Sequence, residues 1–309
     1  MTRKALDGQA AATMVALCLI WGMQQVVIKM AAPDIAPLLQ AALRSGISAL
    51  LVGLLMWRHG EGLQIAEGNW KPGLLIGLLF AGEFFFIAEG LRFTTASHMA
   101  VFLYTAPMFA ALGLHLLLPA ERLSPLKWAG IALAFAGVAL TFFGRSPQGL
   151  ATAQAPNMLL GDLFGLLAGA AWGATTVVVR ASRLSEAPAA QTLFWQLAIA
   201  VLLLLPMAAL FGQTQFRVSA LSLGALAFQG VVVSFVSYLI WFRLLRRYLA
   251  SRLGVLSLMT PLFGIAFGVL LLGEPIDASF ILGAVLVLGG ILLVNGHEWL
   301  RQMLGRVKG

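Results

Sequence analysis

The chain has 309 residues, 60% of them hydrophobic and only 10% charged, with a mean hydropathy of +0.93. A soluble domain carries about 25% charged residues, so a water-coated globule is excluded; too few polar groups exist to cover one. The net charge of +8 comes without any long basic run, and no nucleic-acid partner is expected.

Ten segments are apolar over the roughly 20 residues that a bilayer helix needs: 11–30, 36–57, 72–92, 96–118, 124–143, 159–181, 187–211, 219–242, 248–272 and 278–297. The first follows MTRKALDGQ and imitates a secretory signal. No small-x-small cleavage site follows it, and its removal would leave an odd count, so it is read as an uncleaved span. It holds Cys18, the only cysteine, which excludes an internal disulfide and a cysteine-based metal site. Trp21 stands near its middle, beside Gly22. Tryptophan ordinarily collects at the membrane interfaces, so a midplane indole is either the wall of a substrate cavity or packing against the glycine.

Span two carries Arg44, and span three carries Glu83 within Gly82-Glu83-Phe84-Phe85-Phe86. A carboxylate at that depth costs about 2.5–3.5 kcal/mol on insertion scales, so it must face a cavity, find a partner or take a proton. Glu83 is therefore a candidate proton acceptor or ligand for a substrate ammonium. Arg44 is its candidate charge partner, either structurally or by holding a carboxylate. Glu89 and His98, near the outer ends of spans three and four, are expected to meet water. His115 is expected to make a structural hydrogen bond. In span four Ser97, Ala100, Tyr104, Pro107 and Ala111 share a face; Tyr104 is a candidate cavity residue and Pro107 a candidate hinge, since proline removes a helical donor.

Glu121 follows in a turn, where capping or pairing with loop groups is expected, and span five is rich in glycine. Residues 145–157 form a Pro/Gly/Gln-containing linker. Beyond it, span six carries Trp172-Gly173, and span eight carries Ser234, Ser237, Tyr238 and Trp241, a polar-aromatic patch that lines the same space or simply packs. Span nine holds the second candidate hinge, Pro261. Glu274 lies in the turn before span ten.

The two halves repeat each other. Arg92, Ala96, Ser97, Val101, Pro107 and Phe109 match Arg246, Ala250, Ser251, Val255, Pro261 and Phe263 at one offset, and Glu121, Gly130 and Gly137 match Glu274, Gly283 and Gly290 after a one-residue gap. Trp21-Gly22, Lys29 and Pro37 likewise match Trp172-Gly173, Arg180 and Pro188. The organisation is thus an all-α polytopic membrane protein of ten helices: residues 1–144 as one five-helix repeat, 145–157 as an extracytoplasmic linker, and 158–309 as the second repeat with a cytoplasmic tail. Five is odd, so the copies insert in opposite senses. Inverted repeats are the build of many secondary transporters, with the substrate at the midplane between them. Fifteen of the 20 basic residues fall on the side of the termini, four on the other, and Arg44 within a span. That bias sets both termini in the cytoplasm.

No H-E-x-x-H, G-x-S-x-G or P-loop occurs, so an enzyme and an ATP-driven pump are not expected. The pattern A-S-x-x-x-x…P-x-F…L-L-L…E…G-x-x-L…G-x-x-L, present in both halves, resembles the drug/metabolite transporter superfamily of the EamA type, over essentially the whole chain. The resemblance implies a bacterial inner-membrane carrier that exports amino acids or other small metabolites, with the aromatic amino acid exporters nearest. Together the residues and the resemblance lead to an alternating-access exporter of aromatic or broad neutral amino acids. Its expected substrate-binding residues are Trp21, Glu83, Tyr104, Trp172, Ser237, Tyr238 and Trp241. It needs no organic cofactor or metal, and proton coupling is left open. The alternatives are an exporter of drugs or other metabolites, or a helical scaffold that transports nothing.

Overall fold

Helix starts follow from the residue just before each one. Asp7 accepts the Ala10 amide at 2.8 Å and opens α1 (Gly8–Ala31), and Pro37 opens α2 (Pro37–Arg58). After α3 (Trp70–Gly90), Thr95 accepts the His98 amide and opens α4 (Ala96–Leu103), which α5 (Ala106–Leu117) continues. Ser124 caps α6 (Pro125–Phe143), and Asn157 caps α7 (Met158–Arg180). Then come α8 (Ala189–Leu210) and α9 (Ala220–Ala227), the latter begun by a Ser219–Ser222 capping box. A π-helical segment, Phe228–Ser237, leads into α10 (Tyr238–Arg247). Last are α11 (Ala250–Ser257), α12 (Met259–Leu272) and α13 (Ala278–Arg306). This computed structural model describes residues 7–62, 69–119, 122–144, 155–248 and 250–306, without the side chains of 242, 245, 246, 250–252 and 295–306. Among them there is no strand, only an isolated Ile35–Phe216 bridge.

Nine described helices are long and apolar enough to cross a membrane, counting Ala96–Leu117, Ala220–Trp241 and Leu253–Leu272 as single spans; Ala278–Val294 supplies a shorter apolar stretch as the tenth. Leu50, Trp57, Leu116, Phe143, Leu202, Leu210 and Leu270 stand exposed on the outside of the bundle. In water this would be untenable, whereas lipid solvates them.

The halves interlock through glycines, which let backbones approach closely. A Cβ on Gly22 would lie 2.8 Å from the Cβ of Phe263 and 2.9 Å from the Gly264 amide; its repeat mate Gly173 meets Phe109 and Ala110 in the same way. In α6 and α13, Gly130 faces the carbonyl of Gly290, and Gly137 faces that of Gly283. As the numbers rise along one helix they fall along the other. These two helices are repeat mates, so their antiparallel crossing is the inverted repeat seen directly.

Spans four, eight and nine depart from the continuous α-helices expected. Span four breaks at Tyr104–Thr105, where the Tyr104 amide stretches to 3.4 Å from Ala100 O and the Thr105 hydroxyl donates to Phe102 O at 2.6 Å. Span nine breaks at the matching Leu258, and the Ser257 hydroxyl donates to Gly254 O at 2.8 Å. The missing N–H of Pro107 and Pro261 releases a carbonyl one turn back, and nearby hydroxyls satisfy part of the disturbed ladder. If these breaks are hinges, Pro107→Ala and Pro261→Ala restore a donor and stiffen the spans. Both variants should then insert normally but turn over more slowly in vesicles, and unchanged turnover in both would leave the breaks as packing features.

Candidate functional site

Three broken or irregular spans meet two continuous helices at the centre of the bundle. Tyr104 sits at the α4/α5 break, Thr260 in the first turn of α12, and Tyr238 at the exit of the π-helical segment, facing Glu83 of α3 and Arg44 of α2. Tyr104 interacts with Thr260, Cys18, Tyr238 and Glu83, while Arg44 interacts with Tyr238 and Glu83. All these groups are buried or nearly so; Glu83 is 6% exposed and Arg44 0%. Trp172 meets Tyr104 edge-on at 5.4 Å. Trp21 donates its indole N–H to Ser237 Oγ at 2.8 Å and meets Trp241 edge-on at 5.6 Å. Ser237, next to Tyr238, in turn donates to the Val233 carbonyl. The seven sequence-predicted residues thus form two aromatic groups, joined where Ser237 adjoins Tyr238.

Glu83 and Arg44 are electrostatic neighbours, yet no ion pair closes between them among the described residues. The Arg44 guanidinium instead lies over the Phe84 ring, 3.7 Å from its centroid, with the Tyr238 hydroxyl beside it. Gln25 Oε1 and Ser234 Oγ are buried without hydrogen-bond partners. A core normally satisfies such groups.

Thr260, Gln25 and the π-helical turn were missed from sequence. The repeat did hold a signal for one of them. The offset that sets Arg92 on Arg246 also sets Glu83 on Ser237, Tyr104 on Leu258 and Ala106 on Thr260. The central positions are therefore where the two copies stop agreeing. π-helical turns concentrate at functional sites, but no residue pattern announced this one.

The two faces of the bundle differ. On the face away from Asp7, here called distal, buried polar bridges join the halves. The Glu274 carboxylate accepts the Ala96 amide at 2.6 Å, the Ser97 amide at 2.9 Å and the Ser97 hydroxyl at 2.6 Å. Within the first half, Lys29 donates to Thr94 O at 2.6 Å beside these bridges. His98 Nδ1 lies 3.0 Å from Asp162 Oδ2, the Thr94 hydroxyl donates to Asp162, and Gln213 donates to Glu89. His98 and Glu89, expected to meet water, are only 3% and 6% exposed. The correction has a physical cause: each sits at a span end, but the other half covers it. His115 accepts the Leu123 amide at 3.1 Å.

On the opposite, proximal face, a concavity of about 240 Å³ is lined by Leu55, His59, Glu61, Pro188, Leu239 and Arg243 among others. A second lies against Pro72, Ser182, Arg183 and Glu186. The first reaches Leu239, beside Tyr238; neither is lined by Glu83, Tyr104 or Trp172. Tyr248 donates to Asp7 at 2.7 Å on this face, and that hydrogen bond raises the pKa of the phenol. Glu121 and residues 145–154 of the linker lie outside the described residues. Among those described, no cluster of three or more His, Cys, Asp or Glu is placed to hold a metal.

Comparison with known proteins agrees with this architecture. The EamA-like transporter family matches twice, over residues 9–143 and 159–296. A "Probable amino-acid metabolite efflux pump" of Salmonella typhimurium is 30% identical over all of both chains, and one of Escherichia coli is 30% identical over 97% of each. The "Uncharacterized transporter YoaV" of Bacillus subtilis is 26% identical, over 90% of this chain and 94% of its own. One solved structure, described only as the crystal structure of a protein, shares the fold at a TM-score of 0.65 and 22% identity, covering 92% of this chain and 95% of its own.

Proposed function

We propose, from the premise that this chain belongs to the EamA-like transporter family, that it exports small organic metabolites, aromatic or broad neutral amino acids first among them. It is a carrier rather than an enzyme, and it works by alternating access in a bacterial inner membrane. The substrate sits at the central cluster, with Glu83 as ligand for the ammonium or as proton acceptor. Trp21, Tyr104, Trp172, Tyr238 and Trp241 take the apolar side chain, and Ser237 holds the Trp21 indole in place. Residues 1–144 and 158–309 are the two moving repeats, and 145–157 links them on the extracytoplasmic side.

The observation that carries this reading is the convergence of Glu83, Arg44, Tyr104 and Tyr238 from both halves on one spot. Inverted-repeat carriers place their sites at discontinuous helices near the midplane, which supports this reading. The names of the full-length relatives from Salmonella typhimurium and Escherichia coli support the substrate class. The bridged distal face and the concave proximal face support a conformation closed on one side.

Counterflow in vesicles tests the reading. A panel of labelled amino acids, with and without a pH gradient, should show trans-stimulated uptake, strongest for aromatic side chains. Flux of no solute would leave a scaffold, and current without trans-stimulation would leave a channel. Orientation is tested separately. In a Cys18→Ala background, cysteines at Gln148 and Gly212 should be labelled from outside, and those at Gly60 and Ser185 only from the cytoplasm, as the basic-residue bias requires. Outside labelling at position 185 would overturn that topology.

A further inference from the structure

We propose that Arg44 is the residue that binds the carboxylate of the substrate, so that the central site recognises the whole zwitterionic head of an α-amino acid. The proposal rests on the reading of this cluster as the transport site and deepens it.

Full burial of a guanidinium is costly, and a structural one is accompanied by acceptors. Arg44 is 0% exposed, yet among the described residues no carboxylate pairs with it; the Tyr238 hydroxyl lies beside it, and one hydroxyl cannot accept the several N–H donors of a guanidinium. Its position is nonetheless fixed. The guanidinium lies over Phe84, itself 2% exposed, with 3.7 Å from Cζ to the ring centroid. Contact through the ring face leaves most of the planar fork of N–H groups unused at its edge. That fork is the shape that grips a carboxylate with two parallel hydrogen bonds.

What lies beside it is equally specific. The neighbours of Arg44 are Tyr238 and Glu83, and Glu83 makes no ion pair with it. Two opposite charges that are close but not in contact match a ligand carrying the complementary pair on adjacent atoms. The carboxylate goes to Arg44 and the ammonium to Glu83. The side chain then points to Tyr104 and Trp172, which already meet edge-on. An amine lacks the group for Arg44, and a deaminated acid lacks the group for Glu83.

Competition and melting experiments test the assignment on wild type, Arg44→Gln and Arg44→Lys. Wild type should prefer tryptophan over tryptamine as a competitor in counterflow by about a hundredfold or more, because a site built to hydrogen-bond a group rejects ligands without it. In Arg44→Gln the preference should shrink to a few-fold, and Arg44→Lys, which keeps the charge but not the fork, should fall between. Ligand-free Arg44→Gln should melt at or above the wild-type temperature, since it removes an uncompensated buried charge. Retained preference in Arg44→Gln overturns the proposal. So does a variant that misfolds or melts lower, because the guanidinium is then structural. If wild type carries no amino acid at all, the exporter reading fails independently. The melting shift given by tryptophan against tryptamine then still decides the binding role: a larger shift with tryptophan, lost in Arg44→Gln, supports it, and equal shifts overturn it.

Discussion

Glu83→Gln should reach the membrane and fold, yet lose at least about thirtyfold in affinity for amino acids, since truncating one partner of a buried charge pair costs 2–5 kcal/mol or more. The folding half of this expectation follows from the absence of a Glu83–Arg44 ion pair. Had the two been in contact, the amide would strand Arg44, and a broken buried pair costs about 3–5 kcal/mol. Expression would then collapse, and the added change Arg44→Gln would rescue it. With the groups apart, single and double variants should express alike. The affinity half is read from the concentration dependence of counterflow. Amino acids should weaken while their deaminated analogues compete as before, and if Glu83 also carries a coupling proton, the flux should lose its response to a pH gradient. Near-normal, pH-sensitive flux in Glu83→Gln would remove Glu83 from the site altogether.

Glu274→Ala should open the distal face. The carboxylate holds two amides and a hydroxyl at the start of α4, all buried. It also sits at a helix N-terminus, where negative charge is favoured. Removing it leaves three donors unsatisfied, at about 1–3 kcal/mol each. That sum approaches the roughly 5.5 kcal/mol needed to swing a two-state equilibrium from 1:99 to 99:1. Hydrogen exchange should report this as amides 96–99 exchanging about a hundredfold faster than in wild type, a factor that corresponds to 2.7 kcal/mol. On the proposed alternating-access reading, net export should slow, because a carrier open on the distal side takes up less substrate from the proximal side. Unchanged protection at 96–99 would mean that the other bridges, at Asp162 and Gln213, keep the face shut without Glu274.

The span count and the inversion were legible in the sequence because lipid imposes long apolar runs and because the paired glycines lie on the contact surfaces themselves. Gly22 and Gly173 illustrate this: the residue visible in the repeat is the one that touches the other half. Convergence at the centre was legible too, through the depth of Glu83 and the polar residues of span eight. Several things were not. The break at Tyr104–Thr105 precedes its proline by two to three residues, because the lost donor disturbs the preceding turn. Asp162 drew no notice, and His98 was expected in water. Both stand at the end of a span, and their burial exists only once Gly161 packs against Thr94. That Glu83 and Arg44 approach without joining is a matter of ångströms that no spacing rule encodes.

The α6–α13 crossing reaches beyond packing. A surface on which Gly130 meets Gly290 and Gly137 meets Gly283 fits its own copy turned over. A half-length ancestor inserted both ways up would already have possessed this seam, as a pair of identical chains. Such a pair places every group twice about its axis, so two copies each of Glu83 and Arg44 would stand there and present the same charges in both directions. Fusion into one chain removes that obligation. Ser237 now occupies the position related to Glu83, and Trp195 the position related to Arg44. The fused chain, its halves free to differ, can offer one acid and one base to a molecule whose two ends differ.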